Sequence, residues 1–172
     1  AEIVMQKYNL QIKKYTSSKK LAADYGQEIF QLINEAFKPL FGYSELSQKQ
    51  IDQYVKTYLP ILDLKLISLI TEPDGRLIGV GISMPSMSRA LQKAKGKMFP
   101  FGWWHLLKAL KWKKPKILDL MLVAIKPEYQ GKGVNSLLFY DLLPIYIQEG
   151  YEYVETNVEL ETNAKVQQQW IY

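Results

Sequence analysis

Ile117-Leu118-Asp119-Leu120-Met121-Leu122-Val123-Ala124-Ile125-Lys126-Pro127-Glu128-Tyr129-Gln130-Gly131-Lys132-Gly133-Val134-Asn135-Ser136-Leu137-Leu138 spells a strand, a turn and a helix in that order. The apolar run around Asp119 suits a strand covered on both faces. Pro127 ends it, because proline has no N–H to give a ladder. Gly131 and Gly133 follow, and then Val134, Leu137, Leu138, Leu142 and Ile145 recur at helical spacing. A helix that starts this way presents unpaired N–H groups and the positive end of its dipole. That combination accepts an anion, most often phosphate. The plainer reading is an ordinary strand-to-helix turn whose glycines only supply positive φ.

Within that stretch, Lys126-Pro127-Glu128-Tyr129-Gln130-Gly131-Lys132-Gly133-Val134 resembles the acyl-CoA signature of the GNAT N-acyltransferase superfamily, Q/R-x-x-G-x-G/A after a strand. Gln130 and Gly133 occupy its first two defined positions. Asn135 stands at the third, where the family has Gly or Ala. A small residue there lets the cofactor's pyrophosphate approach the first helical turn. An Asn could donate its amide to a phosphate oxygen, or crowd the site.

Outward from this core, 172 residues fit one domain with a sizeable hydrophobic core. No run reaches the roughly 18–20 uninterrupted apolar residues of a membrane span. Cysteine is absent, which excludes disulfides and thiolate catalysis, and His105 is the only histidine, so no metal site is expected. A cytoplasmic location is the default expectation. The chain begins at Ala1 and is expected to be a fragment of a longer one. The net charge of +5 is unevenly spread: from Arg76 to Leu118 there are ten basic residues and no acid. A basic segment therefore sits in an acidic body.

In chain order, Tyr8 to Tyr15 alternates partially and predicts a strand. Thr16-Ser17-Ser18 offers caps for a helix from about Leu21 to Phe37, with Ile29, Phe30, Ile33 and Phe37 on one stripe. Ser44 or Ser47 starts a second helix that stops before Pro60. Leu64 to Thr71 and Leu77 to Ser83 predict a hairpin about Pro73-Asp74-Gly75. Residues 84–115 are expected to form a helical insertion, with a short helix near Arg89 to Lys95, capped by Ser86 or Ser88, and another from Trp103 to Trp112. Pro144 should kink or end the helix after the glycine turn, and Gly150 is its C-cap. Tyr151 to Glu159 alternates as a fifth strand, and Thr162-Asn163 caps a last helix through Trp170. The expected fold is α/β: a mixed, mostly antiparallel twisted sheet flanked by helices, with the insertion between the third and fourth strands. This order is similar to that of the GNAT domain, whose final strand is missing here. Residues 1–172 are thus expected to be a single GNAT-like domain, with room for a second domain in a longer chain.

The resemblance implies acetyl-CoA or another acyl-CoA as cofactor. Its pantetheine arm would lie beside Leu122, Val123, Ala124 and Ile125, and its pyrophosphate on Gln130, Gly131, Lys132, Gly133, Val134 and Asn135. Lys126 and Lys132 could screen the phosphates, or be solvated lysines beside a turn. Asn163 resembles a helix-start Asn that contacts the cofactor arm, and it is equally a plain N-cap. Seven residues on, where the family often has a Tyr that protonates the leaving thiolate, this chain has Trp170, which cannot do so.

For the base that accepts the amine proton, the candidates are Glu159 and Asp119, with Glu155 and Asn157 on the same strand face as Glu159. Alternating Glu residues also describe a solvated face. The aromatic, Lys-rich insertion reads as a helical cap, or as a lid whose Phe99, Phe101, Trp103 and Trp104 contact substrate, or as a nucleic-acid or membrane surface. The expected activity is acyl transfer, most simply acetyl, to a primary amine of a small molecule or peptide by direct attack on the thioester. The other reading, favoured by Asn135 and Trp170, is a non-catalytic module that senses acyl-CoA or holds RNA, lipid or a partner protein.

Overall fold

The computed structural model describes residues 1–95, 97, 103, 104, 107, 115–156 and 161. Its helices include α1 (Glu2–Tyr8), α2 (Ser18–Phe37), α3 (Gln48–Thr57), α4 (Ser88–Lys93) and α5 (Asn135–Gln148). Its strands are β1 (Gln11–Lys13), β2 (Ile67–Thr71), β3 (Leu77–Pro85), β4 (Ile117–Ile125) and β5 (Tyr153–Thr156). They form one sheet in the order β1-β2-β3-β4-β5. The first three pairings are antiparallel, and β4 pairs with β5 in parallel. This is the mixed, mostly antiparallel sheet expected.

Helices cover both faces. On one, Leu21, Tyr25, Ile29, Leu32 and Ile33 of α2 pack against Leu69, Val80 and Ala124. On the other, Val134, Leu137 and Leu138 pack against Ile70, Ile78 and Ile125. On that second face β3 carries Gly79 and Gly81. A Cβ at Gly79 would lie 2.6 Å from Ile125 Cδ1, and one at Gly81 3.3 Å from Leu142 Cδ1. Small residues here let α5 settle on the middle of the sheet, with Leu137 and Leu138 fully buried. Burying each such leucine stabilises by about 1.5–3 kcal/mol.

Local sequence explains most boundaries. Ser17 accepts a hydrogen bond from the Lys20 amide at the start of α2, and Ser47 with Gln50 forms the capping box of α3. Gly75, at φ 95°, closes the β2–β3 turn. Several expectations need correction. The predicted first strand is β1 alone, because Val4, Met5 and Tyr8 place an apolar stripe on a helix, α1, that packs against the core. The segment Leu64–Leu66 is a 3₁₀ turn that precedes β2. Neither Ser86 nor Ser88 caps α4; the Ser86 hydroxyl instead donates to Ser88 Oγ at 3.2 Å.

Pro144 does not end α5, which continues to Gln148. The helix then closes in a Schellman arrangement: Gly150, at φ 81°, donates to the Ile147 carbonyl and Tyr151 to the Tyr146 carbonyl. The Tyr146 and Tyr151 rings meet edge-on at 6.5 Å as its apolar contact. Most of the predicted insertion after α4, the strand positions from Asn157 on and the predicted last helix lie outside the described residues.

Candidate acyl-CoA site

The glycine turn between β4 and α5 is built from its backbone. The Lys126 amide donates to the Ile78 carbonyl at 2.8 Å, which extends the sheet by one bond beyond Ile125. Pro127–Tyr129 makes a 3₁₀ turn, and Gln130 Nε2 reaches back to the Ile125 carbonyl at 3.1 Å. Gln130 thus braces the turn against the strand end. Gly131 and Gly133 take φ 73° and 75°, the left-handed region that other residues enter only with strain.

Among the described residues, no backbone hydrogen bond closes on the amides of Gly131, Gly133, Val134 or Asn135. Nothing lies within 4 Å of where a Gly131 Cβ would be, and at Gly133 the nearest atom is Val4 Cγ2 at 3.6 Å. Residues 131–133 are exposed. The turn is therefore open, with unspent donors at a helix N-terminus.

Charge around the turn is sorted. Lys126 is engaged by Glu35 at 2.6 Å, and Arg76 by Glu128 at 2.5 Å. Its own backbone amide and Arg76 hold the Glu128 carboxyl below the usual carboxylate range, against the effect of burial. Tyr129 donates to Glu72 at 2.6 Å, and that bond and burial raise its phenol above the ordinary value. Lys132 has no carboxylate partner among the described residues; its Nζ lies 5.5 Å from the Tyr8 ring centroid and 5.3 Å from that of Tyr129. Of the two lysines expected to meet phosphate, Lys132 is the one left available.

Leading away from the turn, β4 has a half-open edge. Ile117, Leu118, Asp119 and Leu120 pair with Tyr153, Val154, Glu155 and Thr156. Leu122 to Ile125 pair with β3 alone and face no described strand on the other side. Ile82 pairs with Leu122 and Ser83 with Leu120, so Met121 is an extra residue, a β-bulge, where the two halves of β4 meet. Nothing in the apolar run over residues 120–125 marks Met121 in advance.

At the far end of β4, Ser86, Ser88, Arg89, Lys116, Tyr153 and Glu155 line most of a cleft of about 310 Å³. Glu155 in that cleft is the register partner of Asp119, so the structure brings these two expected carboxylates together. Glu159, Asn157, Asn163, Phe99 and Phe101 lie outside the described residues. Trp103 and Trp104 are exposed, with their rings edge-on at 5.8 Å.

The acetyltransferase (GNAT) family profile matches residues 27–168. The chain belongs to that family. Among solved structures, the fold is similar to a GNAT family acetyltransferase from Brucella melitensis in complex with acetyl-CoA (TM-score 0.54, 19% identity, 92% of this chain and 82% of that one). It is also similar to PH1933 from Pyrococcus horikoshii OT3 (TM-score 0.59, 13% identity, 94% and 85%). In sequence, it is 27% identical over 141 residues to the bacterial ceramide synthase of Caulobacter vibrioides, covering 80% of this chain and 36% of that protein. Protein YghO of Escherichia coli K12 is 28% identical over 99 residues, covering 55% of this chain and 25% of its own length. The chain thus spans about a third or less of these curated relatives. Among the described residues, no helix of this GNAT chain is long and apolar enough to cross a membrane.

Proposed function

We propose that the protein is an acyl-CoA-dependent N-acyltransferase acting on a primary amine in the cytoplasm. The observation that carries this is the open glycine turn, whose free amides stand at the end of a strand that faces no described strand on one side. The amides of Gly131, Gly133, Val134 and Asn135, with the Lys132 ammonium, would hold the diphosphate. Charge-assisted bonds of that kind contribute about 1.5–3 kcal/mol each before desolvation. Groups on Leu122 to Ile125 that point away from β3 would pair with the amide-bearing pantetheine arm, as an added strand would.

The arm would then end beside the bulge at Met121, two residues from Asp119. There the amine nitrogen attacks the thioester carbonyl, forming a C–N bond as the C–S bond breaks. The amine proton passes to a carboxylate, Asp119 or Glu159, and the departing thiolate takes a proton from solvent. Catalysis is chiefly positioning. The acceptor approaches from the cleft beside Glu155. A ceramide is an N-acylated long-chain amino alcohol, so the name of the Caulobacter relative favours an aliphatic amine of that kind. Trp103, Trp104, Phe99 and Phe101 are the apolar contacts proposed for it, and Asn163 a further contact for the cofactor arm.

The test is thermal stabilisation by acetyl-CoA against free acetate, followed by mass spectrometry for amide formed from acyl-CoA and a long-chain amine. At hundred-fold excess over the dissociation constant, about 2.7 kcal/mol of stabilisation is expected. No shift, and no coenzyme retained in native mass spectra, would overturn the reading.

A further inference from the structure

The helix α1 packs beside the glycine turn, with Val4 Cγ2 3.6 Å from where a Gly133 Cβ would be, and the family signature says nothing about it. Val4, Met5 and Tyr8 pack with Val134, Leu137 and Tyr129, and Tyr140 of α5 donates to Glu2 Oε1 at 3.3 Å. Tyr8 and Tyr129 meet edge-on at 6.2 Å. Two ammonium groups converge on the Tyr8 ring: Lys7 Nζ at 5.2 Å and Lys132 Nζ at 5.5 Å from its centroid. Neither has a carboxylate partner among the described residues.

Lys7 and Lys132 are both exposed beside the Tyr8 ring, while the neighbouring acids are committed elsewhere, Glu128 to Arg76 and Glu72 to Tyr129. An anionic group beside that ring would meet two ammonium groups. A diphosphate on the turn amides would have Lys132 beside it, and Lys7, on a different element, would serve a second anionic group of the same ligand.

We infer that Lys7 and Lys132, ordered by Tyr8, form a subsite for the 3′-phosphorylated nucleotide end of the acyl donor. The site would then select coenzyme A over thioesters that carry only phosphopantetheine, such as those on carrier proteins. This rests on the acyl-CoA reading above and adds a donor preference to it.

The experiment is titration calorimetry of the whole chain with coenzyme A and with 3′-dephospho-coenzyme A, for the parent, Lys7→Gln, and Lys7→Gln combined with Lys132→Gln. Both lysines are on the surface, and circular dichroism checks that the variants fold. The parent should bind coenzyme A at least ten-fold more tightly than the dephospho form. Lys7→Gln should shrink that ratio, and the double variant should bring it close to one. Equal affinity of the parent for the two ligands, or a ratio that the double variant leaves unchanged, would overturn the inference while leaving the acyl-CoA site standing. Failure of both ligands to bind the parent would overturn the acyl-CoA reading, and this inference with it.

Discussion

Asp119 of β4 and Glu155 of β5 are register partners on adjacent parallel strands, so both side chains leave the same face of the sheet. Glu155 opens into the cleft beside α4, whereas Asp119 is half-buried and two residues before the bulge. Different tasks are therefore proposed for the two carboxylates. Asp119→Asn should lower kcat by about 10²–10⁴-fold, the usual worth of a positioned base, and leave stabilisation by acetyl-CoA intact. Glu155→Gln should act mainly on the KM for the amine. Steady-state kinetics with a primary amine checks both. Full kcat in Asp119→Asn would move the proton acceptor to Glu159.

The two turn glycines should separate backbone strain from ligand binding. Both sit at positive φ, but a Cβ at Gly131 would meet open space. Gly131→Ala should therefore cost about 1 kcal/mol of stability and keep most of the response to acetyl-CoA. Gly133→Asp adds a negative charge among the free amides, and should abolish that response beyond any loss of stability. Thermal melts with and without acetyl-CoA distinguish the two. Equal responses in both variants would mean that the turn does not hold the diphosphate.

How much of this was legible beforehand depends on the range of the signal. The strand–turn–helix unit was readable because Pro127, Gly131, Gly133 and the Val134-Leu137-Leu138 spacing are all local. So were the two helices that begin near Ser17 and Ser47, where capping residues stand next to an apolar stripe. The bulge at Met121 was not, because it is defined by which residues of β3 stand opposite, a relation across about forty residues of chain. Helix α1 is hidden for a different reason: the partial alternation from Tyr8 to Tyr15 reads as a strand, although Val4, Met5 and Tyr8 already have helical spacing. Ionic sorting was also hidden, since only the fold reveals that Lys126 meets Glu35 and Lys132 meets two rings.

Beneath α5, the Ser83 and Tyr146 hydroxyls are hydrogen-bonded to each other in a buried setting. Tyr146→Phe would leave the Ser83 hydroxyl without that partner, at about 1–3 kcal/mol. Combining it with Ser83→Ala should recover part of the loss, giving a coupling of about 1 kcal/mol in a double-mutant cycle. Additive losses in urea melts would show that the pair is not coupled. By contrast, the Tyr151 hydroxyl is buried with no hydrogen-bond partner among the described residues. Its removal in Tyr151→Phe should be neutral or stabilising near pH 7.

The same residue gives a prediction at high pH. Burial, helped by the nearby Asp63 and Glu149 carboxylates, pushes the Tyr151 phenol up to about 12. Burial also raises Tyr146, against the pull of its bond to Ser83. In the unfolded chain such phenols ionise near pH 10. Between those values the unfolded state has lost the proton and the folded state still holds it, so raising the pH favours unfolding. The contribution of Tyr151 is thus present in full below about pH 10 and is lost as the pH climbs towards 12. Melts of the parent should show stability falling over that window, and Tyr151→Phe should fall less steeply because it has no phenol to ionise at that position. Parallel curves for the two proteins would show that the buried hydroxyl plays no part in the alkaline transition.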